Sequence, residues 1–125
     1  MTTSYMDAPN VLSITRGSSV VLQLAVTDPE GTPFDLTGAV VWFTAKRMVQ
    51  DTNPIIQKRS TFADQVVITD MRQGKVEIYL RPADTFDLCV GKVIFDVWVV
   101  RGADRWMVVR PTELRLLPSV TRIEV

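Results

Sequence analysis

The chain has 125 residues, 46% of them hydrophobic, with 14 basic and 14 acidic side chains and a net charge of zero. That is one domain's length with enough apolar material for a sizeable core, and it is not the composition of a disordered chain. Zero net charge excludes wholesale attraction to nucleic acid or to an anionic membrane.

Ten of the 14 basic residues are Arg, which forms bidentate pairs and stacks on aromatic rings, as protein interfaces require. Cys89 is the single cysteine, so stability comes from packing rather than from an internal disulfide. Residues 1–10 carry neither a basic start nor an apolar run, so no signal peptide is expected. No stretch of about 18 apolar residues is present to span a membrane.

In chain order, residues 1–10 read as a polar N-terminal arm. Residues 11–15 form a short strand, and Arg16 to Ser19 a turn. From Val20 to Thr27 the pattern alternates, with Leu22, Leu24 and Val26 on the core side. Asp28-Pro29-Glu30-Gly31 has type I turn chemistry. Residues 33–38 connect to the next strand, with Phe34 and Leu36 as apolar pegs.

The next strand covers residues 39–47. Val41, Phe43 and Ala45 take its inner face, and Val40, Trp42, Thr44 and Lys46 the outer. Short strands are predicted over 55–58 and 65–69. A regular one follows over 75–80, with Val76, Ile78 and Leu80 inward. Residues 82–86 make one helical turn, with Phe86 and Leu88 packing down.

The strand over 92–101 is expected to be the longest, with Val93, Phe95, Val97 and Val99 inside and Ile94, Asp96, Trp98 and Val100 outside. Gly102 to Asp104 form a hairpin loop. The returning strand over 105–110 is interrupted by Pro111 and resumes over 112–117. Residues 119–125 form a C-terminal tail. Seven to eight short strands with no long helix predict an all-β, antiparallel β-sandwich over residues 11–118.

Several of these pieces share one pattern. Arg16-Gly17-Ser18 precedes a strand. Asp28-Pro29-Glu30-Gly31-Thr32-Pro33 and Asp35-Leu36-Thr37-Gly38 follow it. Gly74-Lys75-Val76 opens a strand that closes on Arg81-Pro82-Ala83-Asp84-Thr85. Gly91 leads into Phe95-Asp96-Val97, and Pro118-Ser119-Val120-Thr121 begins the tail. The order resembles the immunoglobulin-like module of phage baseplate and tail structural proteins, and is similar to the N-terminal domain of baseplate upper proteins. It departs from that pattern at Val93 and Phe95, where paired tyrosines are usual, and at Arg110-Pro111, where a Gly is more typical.

The resemblance implies an immunoglobulin-like sandwich and a non-enzymatic virion structural protein. Such a protein is made in the host cytoplasm and assembled in multiple copies at the tail or baseplate, against other virion proteins and its own copies. Alternatives are a head decoration or capsid-stabilising protein, and a carbohydrate- or receptor-binding module. No nucleic acid, membrane or cofactor partner is expected.

Residues that could carry chemistry are few. With no histidine, Ser-His-Asp and Cys-His arrangements and His-ligated metals are excluded. Cys89, between Leu88 and Val90, is expected to pack. Asp84 and Asp87, and Asp28 and Glu30, are read as caps and turn acceptors. A loop calcium site from Asp28, Glu30 and Asp35 is the weaker reading.

Asp96, an acid in an apolar strand, is expected to pair with an Arg across the sheet. The stronger signal is outward apolar surface. If residues 40–46 and 93–99 pair with the stated faces inside, then Val40, Trp42, Ile94 and Trp98 share one outer face, which Trp106 and Met107 extend. These six are the candidate partner-interface residues.

Overall fold

The computed structural model describes Thr2–Thr3 and residues 11–121. Nine strands and one helical turn follow in order: β1 Thr2–Thr3, β2 Val11–Thr15, β3 Val20–Thr27, β4 Val40–Lys46, β5 Ile56–Arg59, β6 Val66–Asp70, β7 Lys75–Leu80, α1 Pro82–Thr85, β8 Gly91–Arg101 and β9 Asp104–Leu117.

They form a β-sandwich of two sheets, ordered β1-β3-β7-β6 and β2-β9-β8-β4-β5. Two expectations are corrected. The sheets are not purely antiparallel, because β2 runs parallel to β9, pairing Val11 with Glu113 and Thr15 with Leu117. Part of the expected N-terminal arm belongs to a sheet: Thr2 and Thr3 pair with Thr27 and Val26. The rest of that arm, and residues 122–125 of the tail, lie outside the described residues.

Period-two alternation places the core. Leu22, Leu24 and Val26 of β3 and Val76, Ile78 and Leu80 of β7 face inward from the first sheet. Val41, Phe43 and Ala45 of β4 and Val93, Phe95, Val97 and Val99 of β8 face them from the second. The Phe43 and Phe95 rings stack with centroids 5.2 Å apart, worth about 1 kcal/mol beyond their buried area. Leu36, the peg of the β3–β4 connector, is fully buried, and Phe34 packs beside it at the core's edge.

The longest strand is β9, with 14 residues against 11 in β8. Pro111 does not break it. The register slips twice: Phe95 faces Thr112, Val97 faces Val109 and Trp98 faces Met107, so β9 holds two extra residues opposite 95–98. These bulges let Val108 and Val109 both point inward and give Pro111 a position that needs no donor. Two insertions restore the parity that one would have reversed. The hairpin loop is Gly102-Ala103 alone. Gly102 has φ 60° and Ala103 is not at positive φ, the signature of a type II′ turn.

The motif turns are the joints of this sandwich. The Gly17 N–H donates to Thr85 Oγ1 at 2.8 Å, and the Arg16 guanidinium to the Leu88 carbonyl at 3.1 Å. Thr85 is therefore the buried residue of α1, while Phe86 is only half-buried. Asp84 Oδ2 accepts the Arg81 N–H at 2.7 Å and meets the Nζ of buried Lys58 at 2.7 Å, tying α1 to β5.

At the other end, Asp28 Oδ1 accepts the N–H groups of Glu30 and Thr32. The Val26 N–H donates to Gly74 O and the Phe34 N–H to Val26 O, each at 2.9 Å. Gly74 sits at φ +69°, and a Cβ there would lie 2.5 Å from Val26 O and 2.7 Å from Phe34 O.

Gly74→Ala is therefore expected to cost about 2 kcal/mol or more. Gly31→Ala, at φ +86° but facing open space, should cost about 1 kcal/mol. Urea denaturation of the two variants measures the difference.

A second expectation concerns pH. The Thr37 hydroxyl (2.5 Å) and N–H (2.9 Å) both donate to Asp35 Oδ1 and hold this carboxyl below its usual pKa, with Arg72 and Arg101 adding smaller contributions. The folded state then binds fewer protons than the unfolded chain. The stabilisation is complete above the usual carboxylate range and is lost as pH falls through the depressed native value. Asp35→Asn should flatten this part of the acid limb in denaturation curves taken across acidic pH.

Candidate functional site

The outer face of β4, β8 and β9 is built by the same alternation that builds the core. Each residue flanking an inward one points out. Trp42 lies directly opposite Trp98 across the β4–β8 pair, and Trp98 opposite Met107 across β8–β9. One turn of the pleat away, Val40 faces Val100. In the other direction Thr44 faces Asp96 and Lys46 faces Ile94. Trp98 and Met107 are 37% and 36% exposed, and Trp42 and Ile94 are half-buried.

Five of the six sequence-predicted interface residues therefore share this face. The sixth does not. Trp106 faces Val99, an inward residue, and packs on the opposite side of β9. Its ring meets Phe34 edge-on at 5.3 Å, and the Arg101 guanidinium lies over both rings while donating to the Asp35 carbonyl at 2.9 Å. Successive residues of a strand point to opposite sides, so Trp106 and Met107 cannot both join one patch.

The face is not purely apolar. Asp96 pairs not with an Arg but with an indole: Trp98 Nε1 donates to Asp96 Oδ2 at 3.1 Å. The two sit two residues apart on one strand face, closer than any arginine of the neighbouring strands reaches. This bond fixes the orientation of an exposed ring. Arg59, on edge strand β5, lies 5.1 Å from the Trp42 ring centroid and 4.8 Å from that of Phe62. The 48–69 segment thus covers one side of Trp42 with a guanidinium and leaves Trp98 open. Gln57 donates to Thr44 Oγ1 at 3.3 Å.

Two shallow cavities follow. One of about 440 Å³ is lined by Trp42, Thr44, Trp98, Val100 and Arg105. The other, about 330 Å³, shares Thr44 and Trp98 and continues past Lys46, Ile94 and Asp96. Sequence reasoning selected apolar residues and so missed Thr44, Lys46 and Arg105. Their signal was parity with Trp42 and Met107.

Cys89 is exposed, not packed. Leu88 is the residue that turns toward the core, and the Arg47 guanidinium draws the Cys89 and Lys92 carbonyls to itself at 2.5 and 3.0 Å. Asp28 and Asp35 spend their Oδ1 atoms on turn donors. Among the described residues no three acidic or cysteine side chains cluster as metal ligands, and no helix is long and apolar enough to cross a membrane.

No protein-family model matches the chain, and no curated protein is significantly similar to it.

Asp96→Ala should move the Trp98 indole N–H resonance upfield and leave the Trp42 and Trp106 indole signals in place. Stability should change by no more than about 1 kcal/mol, because the bond is exposed. A nitrogen-edited NMR spectrum of the labelled protein reads all three indoles at once.

Proposed function

We propose that this chain is a non-enzymatic structural subunit of a phage virion. It assembles in multiple copies at the tail or baseplate through protein–protein contacts made by the Trp42–Trp98–Met107 face. The observation that carries the reading is that face: two opposed tryptophans on the outside of one sheet, Trp98 exposed and held by Asp96, Trp42 half-buried beside Arg59. Rigid aromatic anchors of this kind carry much of the energy of protein interfaces. Each copy that buries such surface gains about 25 cal/mol per Å² of apolar area.

Two further observations support it. The turn motifs that resemble those of phage tail modules are used here as joints: Arg16-Gly17 onto Thr85, and Gly74 onto Val26 and Phe34. The motif thus reads as the signature of a fold rather than of a reaction. The strand order also supports the immunoglobulin-like part of the reading. The first strand is split between sheets, with β1-β3-β7-β6 on one side and β9-β8-β4 on the other. We read that order as resembling the A-B-E-D and G-F-C arrangement of immunoglobulin sandwiches, with β2 and β5 added at the edges of the second sheet.

The paired indoles beside Thr44, Gln57 and Asp96 favour a carbohydrate-binding module as the second reading, with sugar rings stacked on Trp98.

The test is made on phage particles purified from a lysate of the host cells. The chain should co-purify in a fixed copy number, with antibody gold at the tail end. A folded Trp42→Ala/Trp98→Ala variant should be incorporated at least about tenfold less well. Gold over the head would move the assignment to a head decoration protein, and absence from particles would overturn it. A double variant that incorporates normally but loses binding on a glycan array would give this face to the carbohydrate reading.

A further inference from the structure

Charge on the Trp42–Trp98 face does not mirror that of the whole chain, whose net charge is zero. By parity the outer face of β5, β4 and β8 carries Arg59, Lys46 and Lys92, and β9 adds Arg105 beside the larger cavity. None of these four has an ion-pair partner among the described residues. The acids nearby are fewer than the cations, and among the described residues only Glu113 of them has an ion-pair partner. Asp96 accepts the Trp98 indole N–H, and Glu113 takes two bonds from Arg115. Asp51, in the loop bordering the smaller cavity, accepts the Met48 N–H through Oδ2. An aromatic floor is thus rimmed by an excess of cations, these four against the carboxylates of Asp96 and Asp51, with Glu113 matched by Arg115.

We propose that this face takes an acidic segment of another protein, in which a large apolar side chain is flanked by carboxylates. The inference rests on the interface reading above and names the chemistry of the partner. The apolar side chain seats in the cavity of about 440 Å³ between Trp42, Trp98 and Val100. Carboxylates on either side of it meet Arg105 at one end and Lys46 at the other, with Lys92 beyond.

Lys46 follows Trp42 by four residues along β4, and Arg105 lies on β9 opposite Val100 of β8, so the two cationic ends flank the aromatic centre from opposite sides. The indoles supply most of the affinity, because exposed ion pairs contribute little each. The cations supply orientation, partner choice and association rate. A basic or neutral segment gains nothing from the rim, and a basic one is repelled by it.

The probe is the peptide acetyl-Asp-Glu-Phe-Leu-Asp-Glu-amide, titrated into the nitrogen-labelled full chain. The control is the same peptide with Lys and Arg in place of its acids. The acidic peptide is expected to shift the Trp42 and Trp98 indole signals and leave Trp106, on the other side of β9, unmoved. Apparent affinity should fall at least about fivefold between roughly 50 and 500 mM salt. It should fall by a similar factor in the Lys46→Glu/Arg105→Glu variant, whose fold is checked by its unchanged Trp106 signal.

Equal binding of the basic peptide, no response of either outer indole to the acidic one, or the same shifts produced by neutral cellohexaose would overturn the proposal. Its failure is separable from that of the interface reading. If the peptide does not bind while Trp42→Ala/Trp98→Ala still blocks incorporation into particles, the interface stands and only its acidic partner falls.

Discussion

The register of β4 against β8 is the constraint on which most of this protein depends. Phe43 and Phe95 must both be buried, and they stack at the centre of the sandwich. Once they are inside, the pleat leaves no choice for their neighbours. Trp42 and Trp98 face each other on the outside, Val40 faces Val100, and Thr44 faces Asp96. A slip of one residue would bury two indoles and expose two phenyl rings, so the same hydrophobic gain that closes the core also holds the outer face in place. Core and outer face are two sides of one pairing.

Around that pairing the chain is held by joints of short reach. The connector after β3 is bonded to the end of β3 and to the turn before β7, and Gly74 is the one residue type that fits between Val26 and Phe34. At the opposite end, Gly17, Thr85, Arg16 and Leu88 close the sandwich through two hydrogen bonds. These polar contacts set geometry more than they supply energy. The apolar interior supplies the energy, and the joints decide which ends of the strands meet. They also account for several of the residues that read as motifs: Gly17, Asp28, Gly74 and Thr85 each serve a turn or a close approach.

Electrostatics follows the same division. The molecule is neutral, yet its aromatic face is bordered by Lys46, Arg59, Lys92 and Arg105, while most carboxylates are spent on turns, caps and local pairs. A neutral protein with one cationic, aromatic face is suited to selective contact rather than to general adhesion to polyanions. The proposed role as a repeated structural contact would use this property directly, with the sheet as scaffold and the face as both anchor and orientation.

The strands, their inward faces and the placing of Trp42 and Trp98 on one outer face were legible in the sequence, because alternation with period two is local and each strand carries it independently. What required the tertiary structure was everything that depends on a partner. The two β9 bulges arise only against β8, and they explain how a strand continues through Pro111. The parallel pairing of β2 and the return of Thr2–Thr3 to β3 involve residues far apart in the chain.

Trp106 was misplaced because two neighbouring apolar residues were read as one patch, although a strand must send them to opposite sides. Asp96 found an indole two residues along its own strand, and Cys89 was left outside when Leu88 took the inward position. The sequence by itself determined which side of each strand avoids water, since that is written in the spacing of its own residues. Only the tertiary structure decided which polar groups meet, because a hydrogen bond or ion pair needs a second group at about 3 Å, and chain pattern does not carry that distance.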